Sequence, residues 1–273
     1  MVSLDYSNTK LFSDVFLQLR FLHHHNDSPL TQSAGNPEDD ISPILGRWIF
    51  SDGIPRVRFL DGIGENRRIQ IRLEAGIMQF ELIGRPDGKR PEGSESWLEF
   101  WGASEEKLAQ VECEILRAEV HLYHQRAAAY LMLEDFVSVM RDCDRNLFAI
   151  DFVWRRAIRG ADLESFDAIR IATVLLRTRA EASMCIRIRD TQGALKAIDR
   201  GLANLHGGAG SSRRMPEEDS SEALMLRSMR DALVPKLPSS QRVDLESRLK
   251  HALRMENYEL AAILRNELRQ IGY

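Results

Sequence analysis

"YHQRAAAYLMLEDFVSVMRDCDRNLFAID", residues 123–151, decides the fold class of this chain. It begins with a helical pattern that contains three consecutive small residues, Ala127 to Ala129. The segment Leu133-Glu134-Asp135-Phe136 interrupts this pattern, and a second helical pattern runs from there to Asp151. The stretch therefore predicts two helices joined by a short turn.

The same arrangement returns 55 residues further along, in "RAEASMCIRIRDTQGALKAIDRGLANL", residues 179–205. Alanines, a charged turn at Ile188-Arg189-Asp190 and further alanines follow one another in the same order. Both stretches resemble tetratricopeptide repeats, in which small residues let one helix approach the next. A strict repeat would recur after about 34 residues, and a free-standing solenoid needs about three copies. We therefore predict a TPR-like helical bundle over residues 101–205.

Residues 56–84 alternate apolar and polar side chains with a period of two, which is typical of β-strands. The alternating segments are "RVRFLD" (56–61), "RIQIRLEAG" (68–76) and "IMQFELIG" (77–84). They predict a small antiparallel meander, within a sheet domain at 43–100, that has one face in solvent. Because three strands are only marginally stable alone, this sheet must pack on a helix.

The other segments differ in composition. Residues 1–42 are predicted to be a disordered arm, and residues 206–239 a flexible linker with a short helix. The apolar stretch at 11–22 is too short to span a bilayer, so we expect no membrane segment. The histidines at 23–25 are interpreted as a solvated run. With a helical pair at 240–273, the predicted class is α+β, mainly α.

Charge and cysteine usage restrict the function classes. The 37 basic residues are outnumbered by 41 acidic ones, so direct nucleic-acid binding is not expected, although "WRRAIRG" (154–160) is locally basic. Three widely spaced cysteines form no metal or disulfide pattern, which favours a reducing cytoplasm. Cys113 and His121 do not share a helical face, and no H-E-x-x-H is present. We expect a protein that is not an enzyme and that has no cofactor or metal.

The last residues form two apolar stripes. Leu245, Leu249, Ala252 and Leu253 make one stripe, and Ala261, Leu264, Leu268 and Ile271 make another, with Tyr258 and Ala262 beside it. Two stripes joined by a short turn predict an antiparallel helical hairpin. A hairpin of this size cannot bury both stripes within itself, so we expect a protein partner to cover part of them.

This hairpin sequence, "LKHALRMENYELAAILRNEL" (249–268), resembles the UVR motif of the excision-repair proteins UvrB and UvrC. Asn266 occupies a position where the family usually has aspartate. The resemblance implies a protein–protein interaction module without catalysis. The matching residues are Ala252, Glu256, Tyr258, Glu259, Ala261, Ala262, Leu264 and Arg265. The residues expected to contact the partner are Leu245, Leu249, Ala252, Tyr258, Glu259, Ala261, Ala262, Leu264 and Arg265.

A second resemblance covers residues 68–93, where "GRPDGKRP" (84–91) is similar to a signature in a group of uncharacterised bacterial UVR-containing proteins. Arg85, Lys89 and Arg90 put three cations on a glycine-containing turn, a pattern that suits an anion such as phosphate. The alternative is a structural turn in which Asp87 offsets one charge and the prolines stiffen the chain.

The sequence therefore predicts a non-enzymatic cytoplasmic adaptor. Its UVR-like hairpin would bind another protein with the same motif or a second copy of the chain. Two alternatives remain open: an accessory factor of nucleotide excision repair or the DNA-damage response, and an anion sensor that uses residues 84–91.

Overall fold

A computed structural model describes residues 40–50, 56–61, 67–74, 76–158, 163–206, 220–233, 239–255 and 257–270. This part of the chain is mainly helical, with a small three-stranded antiparallel sheet followed by helices, which confirms the coarse class predicted from sequence. The predicted arm up to residue 39, with its apolar stretch and histidines, lies outside the described residues. The chain divides into two compact units, Met1–Arg177 and Thr178–Tyr273. Within the described ranges, no helix is both long and apolar enough to cross a bilayer.

The sheet consists of three strands that neighbour each other in chain order, after a short helix α1 (Ser42–Arg47). The strands are β1 (Arg56–Leu60), β2 (Arg68–Leu73) and β3 (Gly76–Glu81), and both pairs are antiparallel. Ile69, Ile71 and Phe80 are buried, and Ile69 lies opposite Phe80 in the register. The period-two pattern therefore directs one face of the sheet into the core.

The other face of the sheet is less exposed than its polar sequence predicts. Gln70 and Arg72, in the middle strand, are buried. The guanidinium of Arg58 lies 3.9 Å from the ring centroid of Trp48, and Arg72 Nε donates to the Trp48 carbonyl at 2.8 Å. The expected solvent face is thus partly covered by the residues that follow α1, because the arginines form cation–π and carbonyl contacts with them.

After a 3-10 turn (Pro91–Gly93), the first unit continues with α2 (Trp97–Gly102), α3 (Gln110–Met132), α4 (Phe136–Arg156) and the first part of α5 (Ser165–Arg187). Ser96 begins α2, because its hydroxyl accepts a hydrogen bond from the Glu99 N–H at 3.1 Å. Strand β2 packs against α3, as a sheet this small requires. The helices share a core that includes Leu116, Val120, Ile150 and Phe166.

The second unit contains the end of α5, then α6 (Thr191–His206), α7 (Ser221–Leu233), α8 (Ser239–Arg254) and α9 (Tyr258–Gln270). Gly201 of α6 faces Thr178 of α5 closely, since a Cβ at Gly201 would lie 2.9 Å from the Thr178 Cβ. Helix α7 packs against α6 and buries Ala223 and Leu226.

Two connectors have the same geometry at an offset of 55 residues. Glu134 and Arg189 both adopt the left-handed conformation, with φ of 57° and 61°. The next residue is an aspartate whose N–H donates back across the turn, from Asp135 to the Tyr130 carbonyl at 3.0 Å and from Asp190 to that of Cys185 at 2.8 Å. Each aspartate then caps the following helix through its carboxylate. A left-handed residue followed by an N-capping aspartate therefore ends one helix and starts the next in both places.

Candidate functional site

The C-terminal helices α8 and α9 pack against each other as a hairpin with its own small core. Leu249 packs against this core from the side. Alanine at two of the core positions is small, so the helix backbones can approach closely there. The buried core residues are Leu245, Ala252, Ala261, Leu264 and Leu268.

Asn257 forms the turn of the hairpin. Its N–H donates to the Ala252 carbonyl at 2.9 Å, which ends α8. Its side-chain Oδ1 accepts from the Leu260 N–H at 3.1 Å, and its carbonyl accepts from the Ala261 N–H at 3.0 Å. Asparagine is a favoured N-cap residue, so this one side chain fixes where α9 begins.

The end of the hairpin beside this turn is apolar and exposed. Its large hydrophobic side chains are between 40% (Leu260) and 68% (Met255) exposed. Exposed apolar side chains that stand singly are normal on a protein surface, whereas a contiguous apolar patch is typical of an interaction site. We call these residues the hairpin tip: Leu253, Met255, Tyr258, Leu260 and Ile263.

The residues predicted to contact a partner fall into different environments. Leu245, Ala252, Ala261 and Leu264 lie in the hairpin core and hold the two helices together, with Leu249 packed beside them. Tyr258 and Arg265 are exposed and Ala262 is half-buried, whereas the side chain of Glu259 lies outside the described part. Leu253, assigned to the inner stripe from sequence, is exposed, and Met255, Leu260 and Ile263 were not singled out. The sequence could have identified these three residues, because they are apolar and lie close to the turn.

The GRPDGKRP turn places its three cations in different environments. Arg85 points inward, where its guanidinium pairs with Asp87 at 2.8 Å and with Glu119 at 3.3 Å. Lys89 is exposed, and Arg90 is exposed near Glu95. The turn itself is closed by the Gly88 N–H, which donates to the Arg85 carbonyl at 2.9 Å. This geometry corresponds to the structural-turn interpretation.

Glu119 of α3 is the centre of a buried polar cluster. Its carboxylate accepts the backbone N–H groups of Trp97 at 2.9 Å and of Leu98 at 3.3 Å, and it also binds Arg85 and Arg145. A fully buried carboxylate is costly unless it is paired and hydrogen-bonded, and both conditions hold here. Glu119 thereby joins the turn, α2 and α4.

A second buried polar group is an ion pair that joins α3 to α4. Arg126 of α3 and Asp142 of α4 form a bidentate ion pair at 2.7 and 2.9 Å, and both are about fully buried. Arg126 Nη1 also donates to the carbonyls of Glu81 and Gly84, each at 2.9 Å. The guanidinium therefore fastens the end of β3 to the helix pair.

Leu82 lies between Glu81 and Gly84 in the chain. Its carbonyl accepts hydrogen bonds from the Tyr130 hydroxyl at 2.8 Å and from Arg141 at 3.1 Å. Residues 81–85, which we call the strap, are thus bound at the carbonyls of Glu81, Leu82 and Gly84. Because the charged groups are occupied by one another and by the strap, we assign this cluster a structural role.

His124 is a buried histidine at the contact between α3 and α5. The Thr173 hydroxyl donates its proton to the Ile169 carbonyl at 2.7 Å, so it can only accept from His124 Nδ1, 3.4 Å away. Burial, with a smaller contribution from His121, lowers the pKa of His124 to about 3. His124 is therefore neutral and serves as a packing residue with a single hydrogen bond.

The thiols show no sign of activation. Burial raises the pKa of Cys113 and raises that of Cys143 strongly, which keeps both thiols protonated. Among the described residues, no three His, Cys, Asp or Glu side chains are grouped so that they could hold a metal ion. No protein-family model, no curated protein and no solved structure matches this chain.

Proposed function

We propose that this chain is a non-enzymatic adaptor that binds another protein through the hairpin tip. The observation that carries the proposal is the exposure of five large apolar side chains that lie close in sequence to one turn. The hairpin has a core of its own, so the tip is not needed to hold the two helices together. The resemblance of residues 249–268 to the UVR motif, a protein–protein interaction module, supports the same use.

A rough free energy sets the strength expected of such a contact. Full burial of a large apolar side chain contributes about 1.5–3 kcal/mol, so covering the exposed half of five contributes on the order of 5 kcal/mol. Association itself costs at least about 4 kcal/mol. The tip alone therefore gives only weak binding, so a partner that is recovered from an extract must also contact other residues. Loss of one tip side chain should still weaken that binding measurably.

The test uses the full chain as bait in an extract of the cells that make it. The parent is compared with Tyr258→Glu and Ile263→Glu, and Asn266→Glu serves as the control because it adds the same charge at an exposed position of α9. Proteins recovered with the parent and the control should be lost with both tip variants. A recovered protein is then purified and titrated against each chain by calorimetry, where we expect at least tenfold weaker binding for the tip variants.

Self-association is measured in parallel by sedimentation velocity, since a second copy is one of the expected partners. Circular dichroism must show equal helix content for all four proteins. If the tip variants bind the recovered protein, or themselves, as tightly as the Asn266→Glu control does, the hairpin tip is not the docking site.

A further inference from the structure

Helix α2 carries three aromatic side chains that contact one another. The rings of Trp97 and Trp101 are stacked, with centroids 4.8 Å apart and an interplanar angle of 21°. Phe100 packs edge-to-face with both, at centroid distances of 5.8 Å from Trp97 and 6.1 Å from Trp101. The tryptophans are partly buried against the core of the first unit, whereas Phe100 is 39% exposed. We call these three residues the aromatic cluster, and its rings form one contiguous patch.

The opposite side of α2 is anchored in the first unit. Leu98 is buried in the core, and Phe100 lies about 200° further around the helix, so its ring faces outward. The carboxylate of Glu119 accepts the N–H groups of Trp97 at 2.9 Å and of Leu98 at 3.3 Å. These contacts fix the orientation of the helix, so Phe100 is already presented in the form that a partner would bind.

The chain on both sides of the aromatic cluster is acidic. Residues 91–106 contain no lysine, arginine or histidine. Helix α2 is only about 9 Å long, so carboxylates before and after it lie near the same rings. Arg90 and Glu95 are 3.9 Å apart, but both side chains are well exposed, so this pair is weak. The glutamates of this segment, all exposed, are Glu92, Glu95, Glu99, Glu105 and Glu106.

No cation of the described chain stacks on the aromatic cluster. Arginines stack on other aromatic rings, as Arg145 does on Tyr123 at 3.9 Å, but the described cation–π contacts include none with a ring of the cluster. Lys107 and Arg156, which lie beside the acidic segment, donate to main-chain carbonyls. An exposed aromatic ring among carboxylates therefore lacks the cation that both groups attract.

We propose that the aromatic cluster binds an arginine-bearing segment of another protein. A guanidinium is attracted to aromatic faces, stacks on them through its own plane and keeps its charge. The surrounding glutamates attract the same segment and repel a nucleic acid or an anionic membrane. A purely apolar partner would gain nothing from these carboxylates. This surface is separate in sequence from the hairpin tip, so the two proposals can fail independently.

The probe is a fluorescein-labelled peptide in which arginine and glycine alternate. Two controls of equal length alternate lysine with glycine and glutamine with glycine. Fluorescence anisotropy with the full chain should show the arginine peptide binding roughly threefold tighter than the lysine peptide, because lysine has the charge without the planar group. The glutamine peptide should bind most weakly. Equal binding of the arginine and lysine peptides, or no binding of the arginine peptide, would overturn the proposal.

Phe100→Ala tests the aromatic contact. Because the ring is exposed, the variant should fold, and binding of the arginine peptide should weaken roughly fivefold. Phe148→Ala is the matched control, since it removes a phenylalanine that is 57% exposed on α4, and it should bind like the parent. If both variants bind as tightly as the parent, the cluster is not the site. If Phe100→Ala converts a dimer into a monomer in sedimentation velocity, a second copy covers the cluster and the proposal is wrong.

Two double variants test the charge around the cluster. Glu92→Gln with Glu106→Gln removes two carboxylates beside α2, and Glu74→Gln with Glu267→Gln removes two from exposed positions in the β2–β3 turn and in α9. The first should weaken binding of the arginine peptide roughly threefold, and the second should leave it unchanged. Equal losses would mean that the peptide responds only to the net charge of the chain, which would contradict a local site.

Discussion

Replacing Asp142 with asparagine tests whether the buried charge cluster holds the first unit together. Asp142 accepts two hydrogen bonds from Arg126 and one from Arg141, at 2.7, 2.9 and 3.0 Å. Asparagine keeps the volume of the side chain but removes its charge. Its amide N–H group must also point at a guanidinium donor. At least one hydrogen bond is lost, and the buried Arg126 cation is left without its counter-charge.

The expected loss follows from this geometry. Removing one partner of a buried pair costs about 3–5 kcal/mol, most of which is the cost of the uncompensated charge. Arg126 retains its bonds to the Glu81 and Gly84 carbonyls, so we expect the lower part of that range, roughly 3 kcal/mol. Asp144→Asn is the matched control, since Asp144 lies on the same helix and pairs with Arg177 at the surface. An exposed pair contributes less than about 1 kcal/mol.

Urea unfolding followed by tryptophan fluorescence is the suitable measurement. All four tryptophans of the chain, Trp48, Trp97, Trp101 and Trp154, belong to the first unit, so their emission reports on that unit alone. Asp142→Asn should lower the transition midpoint with little change in slope. If its loss of stability equals that of the Asp144→Asn control, the cluster does not stabilise the unit and the reasoning is wrong.

Three further predictions concern other sites. The pKa of His124 is about 3 in the folded chain and about 6.5 when unfolded, so the unfolded state binds more protons between these values and stability falls as pH decreases below about 6.5. Tryptophan-monitored unfolding should show a loss of roughly 2 kcal/mol from this histidine between pH 7 and pH 5. His124→Gln should remove that contribution, and an unchanged dependence on pH in this variant would contradict the reasoning. Gly201→Ala would place a methyl group 2.3 Å from the Thr178 hydroxyl and should destabilise by about 1–3 kcal/mol, despite the higher helix propensity of alanine. Gly46→Ala should not destabilise the chain, because no described atom beyond its own helix backbone and chain neighbours lies within 4 Å of the added methyl group. Equal thermal melts for the two variants would contradict the close approach. Finally, fluorescence anisotropy should show no sub-micromolar binding of labelled duplex or single-stranded DNA at about 150 mM salt, because binding to DNA requires cations presented to phosphates and acidic residues outnumber basic ones here. Sub-micromolar binding would favour a direct role in repair over the adaptor.

The sheet was predictable because its signal is local. The alternation over residues 56–84 predicted three strands; β1 and β2 lie within their quoted segments, and β3 begins one residue before its own. The connector at 133–136 was equally readable, since a turn is specified by its own residues. The covering of the polar face by Trp48 was not predictable, because it depends on a segment that reaches the sheet from outside the alternating pattern.

The buried cluster could not be predicted for a related reason. Glu119, Arg126 and Asp142 are charged residues on helical patterns, and such residues are usually exposed. Their burial follows from partners far along the chain, as when Arg126 binds carbonyls at Glu81 and Gly84. The same long-range pairing turned Arg85 inward, although the turn sequence suggested a cation open to an anion. At the hairpin, periodicity identified the core but could not assign Leu253 to the outside.

The strap limits which parts of this chain could be exchanged by recombination without loss of stability. A recombination event that exchanged β3 and the strap for a segment of different backbone shape would displace the carbonyls that Glu81, Leu82 and Gly84 now present. Arg126 and Tyr130 would then keep buried donors without acceptors, at a cost of about 1–3 kcal/mol for each group. The sheet and the helices that hold it are therefore expected to tolerate exchange only as one piece.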